Sequence, residues 1–283
     1  MPKISVLMPV YKTPEAYLRE TIESVLNQTY ADFEFLILDD CPEQPVEDIV
    51  KSYSDDRIKY YKNEQNMGIS KTRNKLINMA KGEYLAVQDH DDISLPERFA
   101  EEVSFLDKHP DYGVVSALHY NFVSKRPCHS HLQDDHQIKL GMMSGCVVTH
   151  PVAMIRKSVL IDCNIFYEEE FTPAEDYALF SRLIPFTKFY NIQKILLNYR
   201  DHRNNTSHLQ DDKILQASDM IYAFLRRDNP YLYDEFLLRR HQKTEYRFLG
   251  ILPIIKTVKK GMRTKVLLFG CLPLMSIRRK CFL

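Results

Sequence analysis

Apolar residues in this chain fall in short runs of strand length, and between the runs they recur at helical spacing. Ile4 to Met8 is the first run, closed by Pro9. Pro14 and Glu15 then open a helix that sets Leu18, Ile22, Val25 and Leu26 on one face. Phe33 to Leu38 predicts a second buried strand, ending in Asp39 and Asp40. A weaker helix follows, with Val46, Ile49, Val50 and Tyr53 at helical spacing. Ile58 to Tyr61 predicts a third strand, Asn66-Met67-Gly68 a turn, and Ser70 to Lys81 a helix with Leu76, Ile77 and Ala80 inward. After Gly82, the short apolar run from Tyr84 to Val87 leads into Asp89, His90, Asp91 and Asp92. Strands alternating with helices at this pace predict a parallel sheet with right-handed crossovers.

The second half is less regular. Pro96 starts a helix with Phe99, Val103 and Leu106 on its inner side, and Gly113 to Leu118 is another apolar strand. Lys125 to Gln137 is polar and aperiodic, which predicts a loop placed over the site. Val152 to Ile155 is a short strand. A helix runs from about Thr172-Pro173-Ala174-Glu175-Asp176 to Ile184, with Thr172 a candidate cap and acids in the first turn. Ile195 to Tyr199 is the last strand, and a helical pattern is expected from Leu209 to the end. Within that extension Phe248-Leu249-Gly250-Ile251-Leu252-Pro253 recurs twenty residues later as Leu268-Phe269-Gly270-Cys271-Leu272-Pro273.

The overall charge is zero and gives no case for nucleic acid, but its distribution is uneven. From 239 to 283 twelve Lys and Arg face the single Glu245, a net +11, so the remainder carries −11. A peripheral contact of 239–283 with an anionic membrane is therefore expected. No apolar run reaches spanning length, and no leader pattern opens the chain. The six cysteines lack metal spacing and read as free thiols. A cytoplasmic location at the inner face of the membrane follows as an expectation.

Three carboxylates at one strand end repel one another, and a hard divalent cation compensates them best. Ligands also bind at the carboxyl ends of strands in open α/β sheets. The alternative is a solvated acidic loop, since Asp55-Asp56, Asp134-Asp135 and Asp211-Asp212 show acidic pairs elsewhere. No glycine-rich phosphate loop follows any strand, so a bound nucleotide would need a metal held by carboxylates.

Seven segments, ISVLMPVY, ETIESVLNQTY, FEFLILDD, NMGISKTRN, GEYLAVQDHDD, TPAEDYALF and NYRDHRNNTS, occur in the order seen in family 2 glycosyltransferases of the GT-A fold. The resemblance covers about residues 1–208, and HPVAMIRKS makes the chain similar to bacterial members that extend lipooligosaccharide, capsule or O-antigen chains. It implies a Rossmann-like, mainly parallel α/β sheet, with a nucleotide-sugar half at 1–95, an acceptor half at 96–210 and a basic helical extension at 211–283. It implies a UDP-sugar donor, a glycan or glycolipid acceptor and Mn²⁺ or Mg²⁺.

By the same resemblance, Pro9, Val10 and Tyr11 line the nucleoside pocket, and Asp40, with Asp39 beside it, meets the uracil. Arg73 faces the diphosphate, and Asp89 holds the ribose or donor sugar with His90 close by. Asp91, with Asp92 nearby, binds the metal, and His202 completes its site. Asp176 is the base for an inverting displacement, its pKa raised by Glu175. Two other readings stay open: a sugar-1-phosphate nucleotidyltransferase, and a non-catalytic carbohydrate-binding or scaffold protein on such a fold.

Overall fold

The computed structural model describes residues 1–128, 132–201, 211–240, 243–248, 252–260, 263–268 and 272–278. Residue contacts divide the chain into two units, Met1–Phe224 and Leu225–Leu283.

The first unit begins β1 (Ile4–Val10), α1 (Glu15–Leu26), β2 (Phe33–Asp39), α2 (Glu47–Lys51), β3 (Ile58–Lys62), α3 (Ile69–Met79) and β4 (Tyr84–Val87). These strands lie side by side and parallel in the order β3-β2-β1-β4. β1 and β2 are buried along their whole length, because helices cover both faces and no position can stay polar toward water. Ile4, Val6, Met8 and Val10 meet Leu18, Ile22 and Val25 of α1 on one face, where Phe33 packs edge-on against Phe99 at 5.6 Å. α3 lies against the other face, with Leu76 and Ile77 buried.

The chain continues through β5 (Ile93–Ser94), α4 (Arg98–Lys108), β6 (Tyr112–Asn121), β7 (Arg126–Cys128), α5 (Asp135–Met142), β8 (Met154–Arg156), α6 (Lys157–Cys163), α7 (Glu175–Leu183) and β9 (Lys188–Tyr199). β6 and β9 are parallel to each other, but β8 is antiparallel to both β4 and β6, and β5 is antiparallel to β9. The sheet is thus mixed, with nine strands in the order β3-β2-β1-β4-β8-β6-β9-β5 and β7 on β6.

The expectation of a loop over 125–137 is corrected. β7 and the start of α5 occupy much of it, anchored by wholly buried Ile138 and Met142 and by the Asp135 carboxylate, which accepts from the Phe189 N–H at 2.9 Å. Two anchors so close to a polar stretch leave no periodic signal. Nor does any described residue of 125–137 line the cavity described below.

The helical extension is present as the helices Asp211–Asp228 and Pro230–Arg240. Beyond them the helical expectation fails. Lys243–Phe248 (β10), Leu252–Lys260 (β11), Arg263–Leu268 (β12) and Leu272–Arg278 (β13) form an antiparallel meander. β-branched Ile, Val and Thr, with Pro253 and Pro273, suit strands better than helix. Among the described residues no helix is long and apolar enough to cross a membrane.

Candidate active site

A cleft of about 880 Å³ opens at the carboxyl ends of β1, β2 and β4 and is closed on its far side by the start of α7. Pro9, Val10 and Tyr11 line it from the end of β1, and Tyr11 is substantially exposed. Asp40 follows β2, Arg73 comes from α3, Asp89, His90 and Asp91 follow β4, and Glu175 and Asp176 open α7. The fold therefore collects into one cleft most of the residues that the sequence singles out.

Two do not line it. Asp39 is wholly buried, and its carboxylate accepts from the Cys41 and Val46 N–H groups at 2.9 and 2.8 Å and from the Tyr60 hydroxyl at 2.9 Å. It ties down the loop after β2 and is removed from the candidate nucleoside contacts. Asp92 is wholly buried too; one oxygen accepts from the Arg200 N–H at 2.7 Å, and the other has no hydrogen-bond partner among the described residues. Burial, then the charges of Asp91 and Asp89, push its pKa well above the usual carboxylate range. His202 lies outside the described residues.

Asp40 lines the cleft while already serving the protein. It accepts from Asn63 Nδ2 at 2.8 Å and from the Met67 and Gly68 N–H groups at 2.8 and 2.9 Å. Those bonds fix the turn into α3, where Gly68 sits at φ 80, a conformation that suits glycine. A carboxylate has about four lone-pair sites, so one further N–H donor still fits.

The acidic loop is held from behind. Gln88 Nε2 donates to the carbonyls of Asp89 and Asp92 at 3.0 and 3.1 Å. Arg98, fully buried on α4, steadies Gln88 through its side-chain oxygen at 3.1 Å and donates to the Val87 carbonyl at 2.7 Å. Just past the end of β9, Arg200 donates to the Asp91 carbonyl at 2.8 Å and stacks on Tyr17, with its guanidinium carbon 4.1 Å from the ring centre. At the entry to β4, Gly82 passes so close to β1 that a Cβ there would lie 2.5 Å from the Ser5 nitrogen.

Arg73 links the two sides of the cleft. Its guanidinium donates to Glu175 at 2.6 Å and to Asp89 at 3.1 Å, and its carbon lies 5.4 Å from the centre of the Tyr167 ring. Burial, followed by Glu175, raises the Asp176 carboxyl to about 6, against the pull of Arg73. One Asp176 oxygen accepts from the N–H of Tyr177 at 2.7 Å. Thr172 does not cap α7: Ala174 occupies that position, and the Thr172 hydroxyl instead shares a 2.9 Å hydrogen bond with Ser70.

Sequence reasoning gave no site role to His150, Thr72 or Asn66, which lie in this cleft. His150 hydrogen-bonds the Tyr167 hydroxyl through Nε2 at 2.8 Å, and burial lowers its pKa to about 3, so the imidazole is neutral. Thr72 and Asn66 also line the wall. The one visible signal is that His150 heads the HPVAMIRKS segment, which bears on the resemblance and gives the histidine no role.

The sequence profile described as Glycosyl transferase family 2 matches residues 5–163. The chain belongs to this family. It is 33% identical over 223 residues to an uncharacterized glycosyltransferase of Methanocaldococcus jannaschii, covering 75% of this chain and 76% of that one. An uncharacterized glycosyltransferase of Rickettsia typhi is 25% identical over 239 residues, covering 80% and 72%. Among solved structures, S. aureus TarS 1-349 in complex with UDP-GlcNAc superposes with a TM-score of 0.68 at 21% identity, covering 84% of this chain and 72% of that one. That likeness is one of fold, the GT-A arrangement, and it agrees with the mixed, mostly parallel sheet.

Among the described residues no group of three or more His, Cys, Asp or Glu is arranged to hold a metal unaided. The acidic loop still fits a divalent cation that takes its remaining ligands from elsewhere. Its charge is only partly compensated, by Arg73 on Asp89, as the orphaned Asp92 oxygen and the raised Asp92 pKa show.

Proposed function

We propose that this chain is an inverting glycosyltransferase that moves a hexose or N-acetylhexosamine from a UDP-sugar to a growing surface glycan of the lipooligosaccharide, capsule or O-antigen type. The observation that carries this reading is the placement of Asp176. It stands across the cleft from Asp89 and Asp91, with a pKa raised to about 6, so it is ionised yet basic enough to accept a proton near neutrality.

In this reading Tyr11 lies against the uracil and Asp40 accepts from it. Asp89 holds the ribose or donor sugar with His90 beside it, and Arg73 fixes the carboxylates that frame the diphosphate. A bound Mn²⁺ or Mg²⁺ would draw on Asp91, on Asp89 and on donor phosphate and water, and would neutralise charge on the departing UDP. Asp92, buried behind the loop, serves it as a support, and His202 remains a candidate ligand. The acceptor oxygen loses its proton to Asp176 and bonds to the anomeric carbon. The bond from that carbon to the phosphate oxygen breaks, and UDP leaves with the electron pair.

Support for the UDP-sugar comes from the fold it shares with TarS bound to UDP-GlcNAc. UDP release from a panel of UDP-sugars, with Mn²⁺ and simple glycan acceptors, tests the reading. Metal-dependent release from at least one UDP-sugar is expected. Release only from GDP- or dTDP-sugars would overturn the donor assignment.

A further inference from the structure

His150 has no part in the reaction described above, yet the fold builds it into the cleft wall. β8 runs antiparallel to β4, pairing Ala86 with Met154, and the Val87 N–H donates to the Ala153 carbonyl at 2.9 Å. Carrying that register past the end of β4 sets the turn His150–Val152 beside the acidic loop. His150 is only 5% exposed, with its ring edge-on to Tyr167 and 5.9 Å from the centre of Phe180. Tyr167 is itself fixed by Asn74 of α3, whose side chain donates to its carbonyl at 2.8 Å and accepts from its N–H at 2.9 Å.

The hydrogen bond from Tyr167 to His150 fixes where the imidazole proton lies. The buried Tyr167 hydroxyl has no other partner among the described residues, so its proton is satisfied by donation to Nε2. Burial keeps that hydroxyl protonated and the imidazole neutral. The single ring proton then sits on Nδ1. Nδ1 bonds to nothing among the described residues, and it is not sealed in as the orphaned Asp92 oxygen is. The cleft therefore receives an N–H that the protein leaves unused.

The strand order indicates what that N–H meets. β2, β1, β4 and β8 are consecutive in the sheet. Asp40, Tyr11, Asp89 and His150 therefore follow one another along the cleft, over three strand spacings or about 14 Å. A nucleotide-sugar is linear in the same sense: base, ribose, diphosphate, sugar. With the base at Asp40 and the diphosphate at the acidic loop, the transferred sugar falls at the start of β8. The charges that bear on His150 are those of Arg73, Asp89 and Arg98, with Asp176 not among them, which sets it on the donor side. We propose that His150 donates from Nδ1 to a hydroxyl oxygen of the transferred sugar and so selects the donor by the configuration at that carbon. The inference rests on the donor orientation proposed above. A sugar that lacks this hydroxyl, or is epimeric there, leaves a buried N–H unpaired, and sites built to bond a hydroxyl reject such analogues strongly.

The test compares the full chain with its His150→Gln and His150→Asn variants. Gln carries its amide where Nε2 lies and can keep the Tyr167 bond, whereas Asn carries its amide where Nδ1 lies. Calorimetry reads the binding of UDP, UDP-glucose, UDP-galactose, UDP-GlcNAc and UDP-GalNAc, and UDP release gives kcat/KM for each sugar. His150→Gln should bind UDP as the wild type does and lose roughly tenfold in the kcat/KM preference among the sugars, about the worth of one hydrogen bond. The added affinity of the preferred UDP-sugar over UDP should fall by a similar factor. His150→Asn should recover part of both, and Tyr167→Phe, which frees the tautomer, should weaken the preference in part. If His150→Gln does not fold, Tyr167→Phe and deoxy forms of the preferred donor decide: a wild type indifferent to every deoxy position would overturn the proposal. So would an unchanged preference in His150→Gln, a loss that falls on UDP itself, or a loss confined to the KM of the acceptor. If the wild type takes only GDP- or dTDP-sugars, the donor reading fails, while the same comparison made with those sugars still judges His150.

Discussion

Arg73 and Glu175, 102 residues apart in sequence, are joined by a 2.6 Å hydrogen-bonded ion pair, with side chains only 10% and 8% exposed. One guanidinium thereby bridges the residue beside the candidate base and Asp89, the first carboxylate of the acidic loop opposite.

Arg73→Met would leave Glu175 and Asp89 without their cation. Breaking a buried pair from one side costs about 3–5 kcal/mol, a loss that urea unfolding would read. Arg73 also opposes the rise of the Asp176 pKa, so its removal moves that pKa upward. The acid limb of the pH profile of kcat/KM should shift above 6, and Arg73→Lys should move it back in part. An unshifted limb would separate Arg73 from the base.

Asp176→Asn should bind UDP-sugar as the wild type does and lose transfer by roughly two to four orders of magnitude. Wild-type activity should fall as pH drops through about 6, where Asp176 takes up a proton. For stability the sign is opposite. The folded pKa lies above the unfolded value of 3.8, so Asp176 costs the fold most once ionised, above about 6. The variant should accordingly be more stable than wild type at pH 8, by about 1–2 kcal/mol after allowing for its partial exposure, and no more stable below pH 4. Thermal unfolding at the two pH values checks this.

Metal dependence tests the acidic loop. EDTA should abolish UDP release and Mn²⁺ or Mg²⁺ should restore it, while Asp91→Asn should remain inactive with either ion and unfold at nearly the wild-type temperature. Full turnover in EDTA would reject a cation at Asp91.

Gly82→Ala tests the entry to the loop. The added methyl would press on the backbone of β1, which cannot swing aside as a side chain can. Overpacking of this kind costs about 1–3 kcal/mol, or roughly 2–12 °C in Tm for a unit of this size. A Tm within a degree of wild type would show that the strands part easily.

Much of this architecture is legible in the sequence because it is local. The β1-to-β4 half announces itself through apolar runs, a Pro at a helix start and the Asn66-Met67-Gly68 turn, all read within a few residues. Asp39 and Asp40 show where locality ends. They are identical side chains at one strand end, yet alternation sends Asp39 to the loop after β2 and Asp40 to the cleft wall. The same limit hides the Arg73–Glu175 pair and the His150–Tyr167 hydrogen bond, each set by tertiary packing. In the extension, helical spacing of apolar residues suggested helix, but pairing between the two repeat copies and their neighbours favoured strands.

Arg98 gives the acidic loop an anchor in the core. Because its guanidinium is wholly buried and holds both Gln88 and the Val87 carbonyl, the loop cannot slide along the strand end without stranding a charge among apolar side chains. The spacing of Asp89 and Asp91 across the cleft is therefore inherited from the packing of α4, a helix that never reaches the cleft itself.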